Sequence, residues 1–311
     1  MSGCRVENSG YVVCYEINTV VSVSCLSREI RNFAGMKSLS LYFSPTGGGE
    51  KIVRAIQNGM DGNDSDYLCS FNLNKHAVPS SVCTDDESFP VIFTIPVYGG
   101  HMPAVTRQRL DAVRSTNGRP AILVAVYGNR AFENALTDLE AFVRERGFSP
   151  IAVAAFPSEH SYSTADMPIA AGRPDVSDLK EADRFGRLIR EKMLRNDFLP
   201  VDASVLKDEP SPEASIRNFV AFVKAYQTQQ AAAPRVYIPE LHSDQCAGCG
   251  ACRLVCPTDA IREDFSTDAS RCIKCCACVK NCPSDARTFH TPFAGPLSEN
   301  FSMRKSPVWV L

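Results

Sequence analysis

The sequence predicts an α/β protein in two parts: a doubly wound sheet of five parallel strands, followed by a small α+β domain organised around cysteine. Three observations carry this reading. Between residue 38 and about 195 short β-rich runs alternate with longer helical stretches, prolines interrupt residues 197–239, and nine of the fourteen cysteines fall between Cys246 and Cys282. A length of 311 residues suits about two domains.

Composition removes several classes of function. Lys plus Arg number 33 against 35 for Asp plus Glu, so no general charge draws the chain to nucleic acid. No apolar run approaches the roughly 18 residues of a membrane span. Residues 11–26 are moderately apolar but contain Glu16 and Asn18 and lack a basic flank, which does not make an export signal. The expectation is a cytoplasmic protein whose cysteines are reduced or metal-bound.

The elements follow in order. Residues 1–35 show neither alternation nor a helical stripe, and are expected to be an extension ahead of a domain that opens after Met36. Expected strands are 38–43, 66–71, 90–95, 120–126 and 149–156. Expected helices are 48–59, 103–114, 131–146 and 176–194; the third shows Phe132, Ala135, Leu136, Leu139, Phe142 and Val143 at spacings of three and four, and Gly147 follows as a stop. Residues 74–89 are polar and turn-rich, so the helix between strands two and three is short or absent. The first domain is set at 36–196 and a connection at 197–239. Within the connection Ser211 and Pro212 open one helix, whose Ile216, Phe219, Val220, Val223 and Tyr226 form an apolar face that should dock on a domain. The second domain is 240–311, and its end, Val308-Trp309-Val310-Leu311, is apolar enough to dock within the chain.

Two runs dominate that second domain: Cys246-Ala-Gly-Cys249-Gly-Ala-Cys252-Arg-Leu-Val-Cys256-Pro257 and Cys272-Ile-Lys-Cys275-Cys276-Ala-Cys278-Val-Lys-Asn-Cys282-Pro283. Both read C-x2-C-x2-C-x3-C-P, in register 26 residues apart, and Asp259 with Asp285 and Ala260 with Ala286 extend the register into an internal duplication. Three thiolates at spacing three let one loop wrap a cubane. Structural zinc also uses four cysteines, but its modules pair two C-x2-C knuckles rather than repeating triplets with a trailing C-P. Cys276 stands where Gly250 stands in the first run, off the ligand register, and Cys4, Cys14, Cys25, Cys69 and Cys83 are scattered and given no role.

These runs resemble the bacterial two-cluster [4Fe-4S] ferredoxins over about residues 240–290. The resemblance implies one-electron transfer at low potential, with the fourth cysteine of each run ligating the other cluster. One cluster is then held by Cys246, Cys249, Cys252 and Cys282, the other by Cys272, Cys275, Cys278 and Cys256. So small a domain has little core, and the clusters should supply much of its folding free energy.

In the first domain, the opening strand runs into Ser44-Pro45-Thr46-Gly47-Gly48-Gly49 and then a helix, an arrangement that turns backbone N–H groups, hydroxyls and a helix N-terminus toward one anion. No Gly-Lys-Ser/Thr follows and no G-x-G-x-x-G appears, so ATP and dinucleotide readings are weak. A generic strand-to-helix turn is the plainer alternative. Two more glycine-bearing loops follow strands three and four: Pro96-Val97-Tyr98-Gly99-Gly100 and Tyr127-Gly128-Asn129. Together the three loops resemble those of flavodoxins, whose phosphate loop reads roughly S/T-x-T-G-x-T; Ser44, Thr46 and Gly47 match, whereas Gly49 replaces the last hydroxyl residue. The resemblance implies a flavodoxin-like fold binding FMN, with Tyr98 beside the isoalloxazine. His101 and His160 could donate to flavin or substrate but read more simply as loop histidines without a role.

As a whole, residues 36–290 resemble the flavodoxin-ferredoxin fusion proteins of anaerobes, in which the run Ala170-Ala171-Gly172-Arg173-Pro174-Asp175 also recurs. The expected function is electron transfer between two [4Fe-4S] clusters and FMN, exchanging one- and two-electron equivalents with a redox partner protein such as a ferredoxin or oxidoreductase. An alternative is an FMN-free iron-sulfur protein whose flavodoxin-like half docks a partner. A flavin enzyme using NAD(P)H is a third reading, for which the sequence names no nicotinamide site.

Overall fold

The computed structural model describes residues 38–61, 69–78 and 89–311, with a short antiparallel ribbon of β1 (Arg5–Val6) and β2 (Val12–Val13) ahead of them. The start expected at Met36 and most of the turn-rich 74–89 segment lie outside the described residues. In chain order come β3 (Leu39–Tyr42), α1 (Gly48–Asp61), β4 (Cys69–Asn72), β5 (Val91–Pro96), α2 (Ala104–Arg109), β6 (Pro120–Tyr127), α3 (Ala135–Glu145), β7 (Ser149–Pro157) and α4 (Val176–Leu194).

Continuous apolar runs form the central strands because both sheet faces are covered. Leu41, Phe43, Phe93 and Leu123 turn to the face packed by α2 and α3, while Ile92, Ile122, Val124 and Phe156 meet α1 and α4 on the other. The parallel strands lie in the order β4-β3-β5-β6-β7, which in chain order is 2-1-3-4-5. That is the flavodoxin-like order, and its switch point falls between β3 and β5.

A sixth strand completes the sheet where the sequence reading has five. β10 (Val308–Val310) pairs antiparallel with the outer edge of β7, Trp309 opposite Ala154, covering an edge that would otherwise stand open. Trp309 packs on Phe185 at 5.8 Å between ring centres. Two helices are shorter than their periodicity predicts. Instead of starting at 131, α3 starts at Ala135, because the Asp208 carboxylate takes the N–H groups of Phe132 and Glu133 and Glu133 adopts φ +43°. α2 stops at Arg109, whose carbonyl accepts the N–H of Val78.

The connecting helix α5 (Glu213–Ala232) follows a one-turn 3-10 helix at Ala203–Val205; its N-cap is Pro212, without a side-chain cap, rather than Ser211. It is held by rings: Phe219 on Phe301 at 5.2 Å, Phe222 on Phe293 at 5.2 Å and Tyr226 on Phe293 at 4.9 Å, the partners flanking α8 (Ala294–Asn300). Between these lie β8 (Glu240–Leu241), α6 (Ala251–Val255), α7 (Ala277–Lys280) and β9 (Arg287–Thr288), with β8 and β9 paired antiparallel.

The duplication read in the sequence is present in the backbone. Positive φ recurs at positions 26 residues apart: Gly248 and Lys274 (65° and 58°), Gly250 and Cys276 (75° and 57°), Asp259 and Asp285 (49° and 50°). The pair Leu241–Arg287 and the bridge Ile261–Thr267 exchange under the same shift, as a pseudo-twofold axis requires. Among the described residues no helix is long and apolar enough to cross a membrane.

Candidate functional site

The loop after β3 is built around Ser44. Asn74 grips its backbone from both sides, accepting from Ser44 N at 2.8 Å and donating to Ser44 O at 3.0 Å. Ser44 Oγ accepts from Glu50 N at 3.0 Å, and Ser44 O accepts from Gly47 N at 3.1 Å, closing the turn into α1. The N–H groups of Thr46, Gly48 and Gly49 have no hydrogen-bond partner among the described residues and sit at the N-terminus of a 14-residue helix. Such a cluster of open donors suits a phosphate dianion. The glycines here answer to crowding: a Cβ at residue 48 would stand 2.1 Å from Ser158 Oγ, and one at residue 49 would stand 3.2 Å from Ser44 Oγ. The missing hydroxyl at position 49 thus leaves room for the serine that caps Glu50.

The loop after β5 is a two-residue hairpin. Tyr98 and His101 exchange both main-chain hydrogen bonds, and Gly99 and Gly100 supply φ of 60° and 85° at its tip, as a type I′ turn demands. The loop after β6 brings Tyr127 and Gly128, and the loop after β7 brings Ser158 to Tyr162. All four loops open on one cavity of about 720 Å³, a size typical of small-molecule sites.

Of the residues expected to bind a cofactor, Ser44, Pro45, Thr46, Gly48, Gly49, Pro96, Val97, Tyr98, Gly99, Gly100, Tyr127 and Gly128 line this cavity. Gly47 lies in the turn behind it. Asn129 stands apart: its Nδ2 donates to the carbonyls of Phe301 and Met303 at 2.6 and 2.8 Å, fixing the chain that leads to β10. His101 is likewise turned away, with Nδ1 2.8 Å from Asp138 Oδ2.

Several walls come from outside the glycine-bearing loops. Phe219, Val220, Val223, Lys224 and Gln227 of α5 roof the cavity, so this helix does dock, and it docks over the crevice. Ile273, Lys274 and Cys275 of the second cysteine run form another wall. Tyr98 is half-buried there, and burial, helped by the Cys275 and Cys276 thiols, pushes its hydroxyl well above the usual tyrosine range. Lys280 on α7 donates to Glu159 Oε1 and Ser163 O, both at 2.8 Å, strapping the loop after β7 to the cysteine half.

The run 170–175 backs the same loop. Glu159 N donates to Arg173 O at 2.9 Å and Gly172 N to Glu159 Oε2 at 2.9 Å. Arg173 is buried, paired through both Nε and Nη2 to Asp178, and donates to Lys305 O at 2.8 Å, while Asp175 caps α4 in a reciprocal capping box with Asp178.

None of the nine cysteines of the two runs is in a disulfide. A narrow cleft brings together Cys246, Cys249 and Cys252 of the first run with Cys282 of the second. Cys256 lies instead beside Cys272, Cys275 and Cys278, the thiols that raise one another's pKa. Burial is the larger cause and pushes Cys275 up to about 12 and Cys278 up to about 11. Ala260 N donates to Cys256 Sγ at 3.2 Å, and Ala286 N makes the equivalent bond to Cys282. Among the described residues no three His, Cys, Asp or Glu side chains close tightly enough for a single metal ion. A cubane is wider and takes its thiolates at separate corners. Cys276, buried at 1% exposure, donates to Lys274 O.

Residues 239–262 and 265–288 match the 4Fe-4S binding domain family, each stretch containing one complete cysteine run. No curated protein matches the chain. Among solved structures, a flavodoxin from the domain Archaea aligns at 18% identity over 51% of this chain and 99% of its own, with a TM-score of 0.38. Oxidised flavodoxin 2 from Bacillus cereus aligns at 18% identity over 50% of this chain and 99% of its own, with a TM-score of 0.35. Rubredoxin oxygen:oxidoreductase from the anaerobe Desulfovibrio gigas aligns at 11% identity over 51% of this chain and 36% of its own, with a TM-score of 0.36. The fold is set by the strand order, independent of these likenesses. A flavodoxin-like sheet is joined here to a 4Fe-4S binding domain, and the chain is an iron-sulfur electron-transfer protein.

Proposed function

We propose that this protein is a cytoplasmic iron-sulfur flavoprotein that carries electrons between two [4Fe-4S] clusters and FMN, and through them to and from a redox partner protein such as a ferredoxin. The observation that carries the reading is the shared cavity: Cys275, a ligand in the proposed second cluster, lines the same chamber as the open N–H groups of the loop after β3. Thr46, Gly48 and Gly49 would hold the phosphate through their N–H groups, and Tyr98 and Gly128 would flank the ring. The first cluster would use Cys246, Cys249, Cys252 and Cys282, and the second Cys272, Cys275, Cys278 and Cys256. FMN accepts one or two electrons and a cubane passes one, so the pair supplies conversion between the two kinds of carrier.

The chain's own residues set the path and exclude water. Cys249 is exposed, which leaves the first cluster's side open to a donor protein, whereas Cys275 is buried against Tyr98 and the cavity. Phe219, Val223 and Ile273 give the chamber apolar walls. The test is anaerobic purification followed by iron, acid-labile sulfide and released flavin on one sample. About eight irons, eight sulfides and one FMN per chain are expected. Full clusters without FMN, persisting after FMN is added, would instead favour the docking module.

A further inference from the structure

We propose that His160 is a positioning residue for the ring bound in this cavity, donating a hydrogen bond through Nε2–H to an acceptor atom of the FMN isoalloxazine. The inference rests on the flavin reading above and gives a role to a side chain that the sequence alone reads as a loop histidine without one.

Three contacts fix the imidazole. Tyr162 N donates to His160 Nδ1 at 3.0 Å, so Nδ1 is an acceptor and the proton sits on Nε2. The ring packs closely against Gly128, where a Cβ would stand 2.2 Å from His160 Cδ2 and 2.7 Å from Cγ. On another side the Tyr162 ring packs edge-on at 4.6 Å. The backbone is equally held: His160 N donates to Ile169 O at 3.1 Å, and His160 O accepts from Ser163 N at 2.9 Å. His160 lines the cavity, and with Nδ1 engaged its Nε2 has no hydrogen-bond partner among the described residues. Burial, with Arg130 and Lys280 nearby, pulls the imidazole down to about 4, which keeps it neutral and leaves Nε2–H as its one donor. His101, paired to Asp138 outside the cavity, has none of these features.

A neutral donor of this kind is satisfied by a carbonyl oxygen or ring nitrogen, which the isoalloxazine offers along its edge, and it favours the more electron-rich reduced ring. The test uses the full chain with clusters intact and flavin stripped, titrated anaerobically with FMN and read by quenching of flavin fluorescence. Cluster absorbance and far-ultraviolet circular dichroism verify that each variant is folded. His160→Phe keeps a ring against Tyr162 but removes the donor, and should weaken FMN binding about tenfold and lower the flavin midpoint potential. His160→Gln places an N–H near the same point and should bind within about threefold of the parent. A Phe variant with unchanged affinity and potential, or a Gln variant as weak as Phe, would overturn the assignment. Failure of the parent protein to quench FMN would be a separate result, removing the flavin reading itself.

Discussion

The two cysteine runs share spacing, backbone conformation and the pseudo-twofold pairing, yet they live in different surroundings. In the first, Cys249 is exposed and Leu254 on α6 is 75% exposed. In the second, Cys275 is 7% exposed and sits behind Tyr98 and the cavity. The duplication sets where the cysteines stand, while whatever packs on each copy sets which side meets water. A symmetric pair becomes polarised in this way, with one copy open to solvent at Cys249 and the other facing the chamber at Cys275.

The largest expected effect separates the cysteine half from the sheet. Apart from cysteines, the hydrophobic cluster between the two runs contains little more than Ala260, Ile261, Phe265 and Val279, whereas β3 to β7 bury two full layers of side chains. Chelating the iron should therefore abolish hydrogen-exchange protection across residues 240–290 and leave it across the parallel strands. Equal protection in both regions after iron removal would break the contrast.

A smaller effect is expected where the two halves are tied together. Arg173→Ala would leave Asp178, 1% exposed, with only Arg304 Nη2 at 3.4 Å as a cationic partner and release Lys305 O on the way to β10. The expected loss is roughly 3–5 kcal/mol in denaturant unfolding of the holo protein; a loss under about 1 kcal/mol would mean that the C-terminal strand holds itself.

The smallest effect sharpens the comparison between copies. Cys276→Gly restores the residue of the first run at a position with φ +57°, trading a buried thiol for relief of left-handed strain. Stability should move by less than about 1 kcal/mol and iron content should stay unchanged. Loss of iron from this variant would make Cys276 a ligand after all.

What the sequence disclosed follows from how local each signal is. The five parallel strands and α4 were legible because apolar runs and a 3.6-residue stripe repeat within one window. β10 was not, since three residues, Val308 to Val310, show no periodicity and their partners on β7 lie some 150 positions away. The start of α3 was misplaced because Asp208, 76 residues downstream of Phe132, decides it. In the site, the loops at 44–49, 96–100 and 127–128 announced themselves by glycine after a strand. Ser158 to Tyr162 carry no glycine, and α5 reads only as an amphipathic helix of unknown destination. A signal for the former did exist: it follows the carboxyl end of β7, the side on which such sheets take their ligands.

The central claim is that the second cluster and the flavin share one chamber, and anaerobic stopped-flow reduction tests it most directly. The loaded protein is mixed with less than one equivalent of a one-electron donor, and flavin and cluster absorbance are followed together at several protein concentrations. The account predicts that, after the clusters are reduced, flavin bleaching proceeds at a rate independent of protein concentration. A bleaching rate that rises in proportion to protein concentration would contradict it, because electrons would then reach the flavin only between molecules.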